Sequence, residues 1–125
     1  MIQRRDTSDH AATGGVSVAV GADRTAMGRA AACDAAEAIL EAVNVRGRAR
    51  VVFASAPSQR DTLSALVARD DLDWSRVEAF HMDEYVGVSA TAPQAFGQWL
   101  RDHLFAHVNG GRLHAIDPAA RPEAE

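Results

Sequence analysis

The chain has 125 residues, 47% of them hydrophobic and 24% charged, with a formal net charge of −4 and a pI near 5.7. Those totals fit one soluble globular domain or part of one. With no block of basic residues they speak against a nucleic-acid partner.

All 13 basic residues are arginine, so an anionic ligand needs backbone donors or an individually placed guanidinium. Cys33 is the only cysteine, which excludes an internal disulfide and suits a reducing compartment. Val16–Val20 is too short for a signal-peptide core or a membrane span, so we expect a cytoplasmic protein with no membrane partner.

Residues 1–14 are polar and read as a flexible lead. Val16 to Val20 alternates and predicts a first strand, closed by Gly21. Asp23 is placed to cap a helix over Arg24 to Val43, with Met27, Ala31, Ala35, Ile39 and Val43 on its buried face. Cys33 is expected to pack there as a small apolar residue. Asp34, Glu37 and Glu41 make a solvated stripe, and Arg46-Gly47-Arg48 ends the helix with charge that complements its dipole.

Val51-Val52-Phe53 predicts a central parallel strand buried on both sides. Ser58 and Asp61 are spaced as a capping box for a helix to about Arg69, whose apolar face is Leu63, Leu66 and Val67. Trp74 is a packing plug in a polar connector. Val77 to Phe80 is a third strand. Thr91, Pro93 and Gln94 mark another helix start, with Phe96, Trp99, Leu100 and Leu104 as its stripe. Asn109-Gly110-Gly111 stops it before a short strand over Arg112 to Ile116, and residues 117–125 form a tail.

This order predicts a three-layer α/β fold over residues 15–116, a mostly parallel, Rossmann-like sheet flanked by helices. Chemistry in such sheets sits beyond the carboxyl ends of strands. Asp83 and Glu84 follow the third strand, where placed carboxylates can take and return a proton, although charge is also common at any strand–loop junction.

The turn Ser55-Ala56-Pro57-Ser58-Gln59 leaves the second strand at the same edge. It reads either as an anion site at a helix end or as an ordinary β–α turn. Pro57 weighs against phosphate because it has no N–H. If the second and third strands are neighbours, the two loops wall one crevice. His103 and His107 stand four apart, but no third ligand is evident and no metal is expected. His81 either tunes the carboxylates or packs.

The runs LDWSRVEAFHMDEYVG (Leu72–Gly87) and APQAFGQWLRDHLFAHV (Ala92–Val108) resemble the glucosamine-6-phosphate deaminase (isomerase) family, which also includes 6-phosphogluconolactonases. The likeness extends from about Val51 to Val108, and MDEYVG points to the deaminase branch. It implies an enzyme that opens an amino-sugar phosphate, moves a proton from C2 to C1 and releases ammonia, leaving fructose 6-phosphate.

By resemblance, Asp83 is the base with Glu84 beside it, and Ser55, Ala56, Ser58 and Tyr85 contact the substrate. The implied partner is a small-molecule sugar phosphate, with no cofactor. The family's phosphate loop is glycine-rich where this chain reads FASAPSQ, and its ring-opening histidine lies in a second half that these residues do not match. The expectation is therefore a truncated sheet with an unpaired edge, a tendency to self-associate as a homo-oligomer, and little turnover by this chain alone. The alternatives are a 6-phosphogluconolactonase-like hydrolase and a non-catalytic sugar-phosphate-sensing domain.

Overall fold

The computed structural model describes residues 11–13 and 16–120. Ala11–Thr13 (β1) and Val16–Val18 (β2) pair antiparallel as a sheet of their own. The expected first strand is therefore shorter than Val16 to Val20 and lies outside the main sheet. Its nearest partner in sequence, across Gly14-Gly15, takes its hydrogen bonds instead.

The first helix, α1, spans Arg24–Arg46. Asp23 Oδ1 accepts the Ala26 N–H at 2.7 Å, satisfying one of the donors a helix start leaves unpaired. Gly47 ends the helix at φ +74°, donating to the Val43 carbonyl at 2.8 Å; only glycine takes that backbone shape without strain.

The buried line is Gly28, Ala32, Ala36, Ile39 and Ala42, which shares Ile39 with the expected stripe but takes the residues after Met27, Ala31 and Ala35 and the one before Val43, and Met27 is 53% exposed. Close packing explains the roll. A Cβ at Gly28 would lie 2.7 Å from Asp61 Cβ, so the smallest residues face the second helix. Cys33 consequently turns to solvent rather than packing inside.

Ala49–Phe53 (β3), Val77–His81 (β4) and Arg112–His114 (β5) form a parallel three-stranded sheet in that order. Helices flank it, in a Rossmann-like arrangement. The central strand is β4, not the Val51–Phe53 run. Among the described residues β3 is an edge, and its Val52 is 63% exposed. Ala49, Phe53, Val77, Ala79 and His81 point into the core, as the two-residue period of a strand requires. Arg50, Val52, Glu78, Phe80, Arg112 and His114 line up on the opposite face, where the Phe80 and His114 rings stack at 4.7 Å.

After β3 a 3₁₀ turn, Pro57–Gln59, leads into α2, Arg60–Val67. The Ser58–Asp61 capping box does not form, because Asp61 is drawn to the Arg24 guanidinium and α2 has no side-chain cap. Trp74 is 5% exposed and plugs the approach to β4.

The last helix, α3, spans Phe96–His103, later than Thr91 and Gln94 suggest. Those residues sit in successive turns, with Ala92 N–H on the Ser89 carbonyl and Ala95 N–H on the Ala92 carbonyl. Leu100 and Leu104 join Ala32, Leu63, Leu66 and Val77 in one buried cluster. Among the described residues no helix is long and apolar enough to cross a membrane.

Candidate active site

Register places the two suspected loops together. Phe53 of β3 pairs with His81 of β4, so the chain beyond each strand leaves the same sheet edge side by side. One of these loops is Ser55 to Gln59. Ser55 Oγ is enclosed and has no hydrogen-bond partner among the described residues, whereas Ser58 is exposed and Ala56 half-buried. Arg24, at the start of α1, donates to the Pro57 carbonyl and to Asp61, fixing the turn against the neighbouring helix.

The other loop holds the acidic pair, and the structure gives its members different work. Glu84 Oε1 accepts the N–H groups of Tyr85 and Phe96, and Oε2 accepts that of Gly97, each at 2.9 Å. It is the cap of α3, supplied from the loop before the helix. Burial acts to raise the Glu84 carboxyl, but the N–H groups of Gly97, Phe96 and Tyr85 outweigh it and hold the group below the usual glutamate value. Asp83 is exposed and makes no side-chain hydrogen bond among the described residues, so its lone pairs are available. The Tyr85 ring is half-exposed and packs 4.7 Å from Phe96.

Two further bonds tie this loop to the chain beyond β5. His81, 5% exposed, accepts the Ile116 N–H on Nε2 at 2.9 Å. That assigns the ring hydrogen to Nδ1, which is enclosed and has no partner among the described residues. Gly87, at φ +81°, donates to the Pro118 carbonyl at 2.7 Å. Between the two segments lies a largely apolar cavity of about 280 Å³, lined by Glu84, Tyr85, Val86, Ile116 and Pro118 among others.

His103 donates Nδ1–H to the Trp99 carbonyl and stacks on that indole, while His107 is exposed. Among the described residues no three metal-ligating side chains gather. The sequence alone signals neither Arg24 nor Glu84 in its structural role. Both act across long sequence separations, to elements whose placement only the packed helices define.

The arrangement leaves one carboxylate, unengaged among the described residues, and one hydroxyl-bearing turn at the same end of two paired strands. A family model described as glucosamine-6-phosphate isomerases/6-phosphogluconolactonase matches residues 22–125. Glucosamine-6-phosphate deaminase 2 of Bacillus subtilis (strain 168) is 41% identical over 39 residues, 31% of this chain and 16% of the relative. The glucosamine-6-phosphate deaminase of Lysinibacillus sphaericus is 32% identical over 72 residues, 51% of this chain and 33% of the relative.

A solved monomeric glucosamine-6-phosphate deaminase superposes with a TM-score of 0.71 at 20% identity, covering 80% of this chain and 42% of that one. A 6-phosphogluconolactonase from Shewanella baltica OS155 gives 0.69 at 22% identity, covering 78% and 42%. At those identities the two structures speak for the fold. The chain spans less than half the length of these relatives. With the family match covering most of its residues, the chain belongs to the glucosamine-6-phosphate isomerase/6-phosphogluconolactonase family.

Proposed function

We propose that these residues supply the proton-transfer part of an amino-sugar-phosphate deaminase/isomerase, converting glucosamine 6-phosphate to fructose 6-phosphate and ammonia. The observation that supports the reading is the Asp83 carboxylate, exposed and unengaged among the described residues, beyond β4 where the Ser55–Gln59 turn leaves the paired strand β3, with its neighbour Glu84 bonded to the start of α3. In the proposed step Asp83 takes the C2 hydrogen as a proton and returns it to C1. Glu84 has its oxygens committed to N–H groups and serves to position Asp83 rather than to exchange protons.

Ser55 Oγ, enclosed and without a partner among the described residues, is the donor we assign to the sugar phosphate, and Ala56, Ser58 and Tyr85 are assigned as further substrate contacts. The partner is a small sugar phosphate in the cytoplasm, and no cofactor is required. Self-association belongs to the same reading, supported by the exposed Val52 and the unpaired edge of β3; a sedimenting monomer at all concentrations overturns that part.

Binding is the direct test on this chain. Glucosamine 6-phosphate is expected to shift the amide resonances of Ser55, Ala56 and residues 82–85, and their indifference to saturating ligand overturns the assignment. At the relatives' full length, Asp83→Asn is expected to lower ammonia release about 10²–10⁴-fold. The lactonase fold neighbour motivates a second reading, hydrolysis of a sugar-phosphate lactone. Acid release from 6-phosphogluconolactone without ammonia release from the amino sugar would favour it.

A further inference from the structure

At the opposite edge of the sheet from Asp83, the end of α1 turns into β3 and brings the exposed Arg46, Arg48 and Arg50, with Gly47, around one open cavity of about 510 Å³. The left-handed Gly47 makes this possible: the helix stops in one residue, and open space lies where its side chain would be. Arg76 reaches in from the turn before β4 and donates Nη1 to the Gly47 carbonyl at 3.1 Å. Arg112 faces Glu78 from β5 in the strand register.

Against these guanidinium groups the described residues offer two carboxylates. Glu78 pairs with Arg50 at 3.0 Å and Asp73 with Arg76 at 3.3 Å. Arg46 has no carboxylate partner among the described residues, and Arg48 lies near Glu78 without a direct ion pair. A chain of net charge −4 thus gathers Arg46, Arg48, Arg50 and Arg76 in a concave place against two carboxylates, of which Glu78 feels Arg48 as well as its partner Arg50, and the cluster stays net positive. Guanidinium groups kept together repel one another, and a ligand bearing several anionic oxygens relieves that repulsion while filling their paired N–H donors.

We propose that this cavity is a second anion site, built for a phosphate-type oxyanion and separate from the sugar-phosphate site at the Asp83 edge. Arg46 and Arg48 are its principal donors. Arg50 orients the cavity from its pair with Glu78, and Arg76 holds the Gly47 turn in shape. The concavity favours a small phosphorylated ligand over an extended acidic surface, which needs no cavity.

Inorganic pyrophosphate, orthophosphate and chloride are titrated into the 125-residue chain at constant ionic strength, followed by the amide shifts of residues 46–50. Pyrophosphate is expected to bind more tightly than orthophosphate, and chloride to produce no saturable shift. The variant R46A/R48A is expected to weaken pyrophosphate at least about tenfold, with well-dispersed amide resonances showing that the fold persists. R29A, an exposed arginine of α1 away from the cavity, serves as the control and is expected to change it less than about twofold. Equal losses in R46A/R48A and R29A, or matching curves for chloride and pyrophosphate, reduce the effect to general screening and overturn the site. Saturation only by an acidic polypeptide overturns the small-ligand assignment. Shifts confined to residues 55–59 and 82–85 place the anion at the other edge and also overturn it.

Discussion

Glu84 accepts the N–H of Gly97 at 2.9 Å from thirteen residues away, and with the Phe96 N–H it closes the start of α3. Two adjacent acids therefore differ in kind: one is a structural cap, and its neighbour Asp83 is left unengaged. Glu84→Ala is expected to destabilise the fold by about 1–2 kcal/mol, the usual cost of a lost cap. Asp83→Ala is expected to stay within about 0.5 kcal/mol, as for an exposed residue without partners. Urea midpoints measure both, and similar midpoints for the two variants contradict the division.

The same cap has a pH signature. Glu84 is held below its ordinary value, so its stabilisation is complete above the unfolded-chain value near about 4.3 and is lost as pH falls through the lower folded value. Hydrogen exchange at the Phe96 and Gly97 amides is expected to stay protected down to that region and to open below it. Loss of protection between about pH 5 and 6 would point to another group.

Gly28→Ala places a methyl 2.7 Å from Asp61 Cβ and 3.0 Å from the Asp61 carbonyl carbon. Alanine favours a helix over glycine by about 1 kcal/mol. The backbone contact cannot yield without moving α2, so the net effect is expected to be a loss of about 1–3 kcal/mol. The Ser55–Gln59 turn shifts with it, because Arg24 couples that turn to α1. A raised melting temperature for this variant contradicts the packing described.

Arg24→Ala tests the turn more gently. Its bond to Asp61 is an exposed ion pair worth about 0–1 kcal/mol, so stability is expected to change little. The Pro57 carbonyl loses its donor, and glucosamine 6-phosphate binding is expected to weaken several-fold. Calorimetric titration of the variant reads this, and unchanged affinity removes Arg24 from the site.

What was legible from the residues depended on the range of the interaction. The Asp23 cap, the Gly47 stop and the Val77–Phe80 strand are local, and each lies where pattern placed it, the strand one residue longer. The roll of α1 was not legible: alanines on several faces leave the buried one to be chosen by contact between Gly28 and α2. The α3 start was missed because its cap comes from Glu84, outside any capping-box spacing. The edge position of β3 was hidden by an apolar run that composition cannot distinguish from a central strand. At the site, the adjacency of two loops followed from strand order, but which acid is engaged required coordinates.

His81 and Gly87 clasp the acidic loop to Ile116 and Pro118, just past β5, an edge strand among the described residues. Peeling that three-residue border strand away strips the loop of these two fastenings at once and leaves the bonds of Glu84 to α3 as the tether that remains beside Asp83.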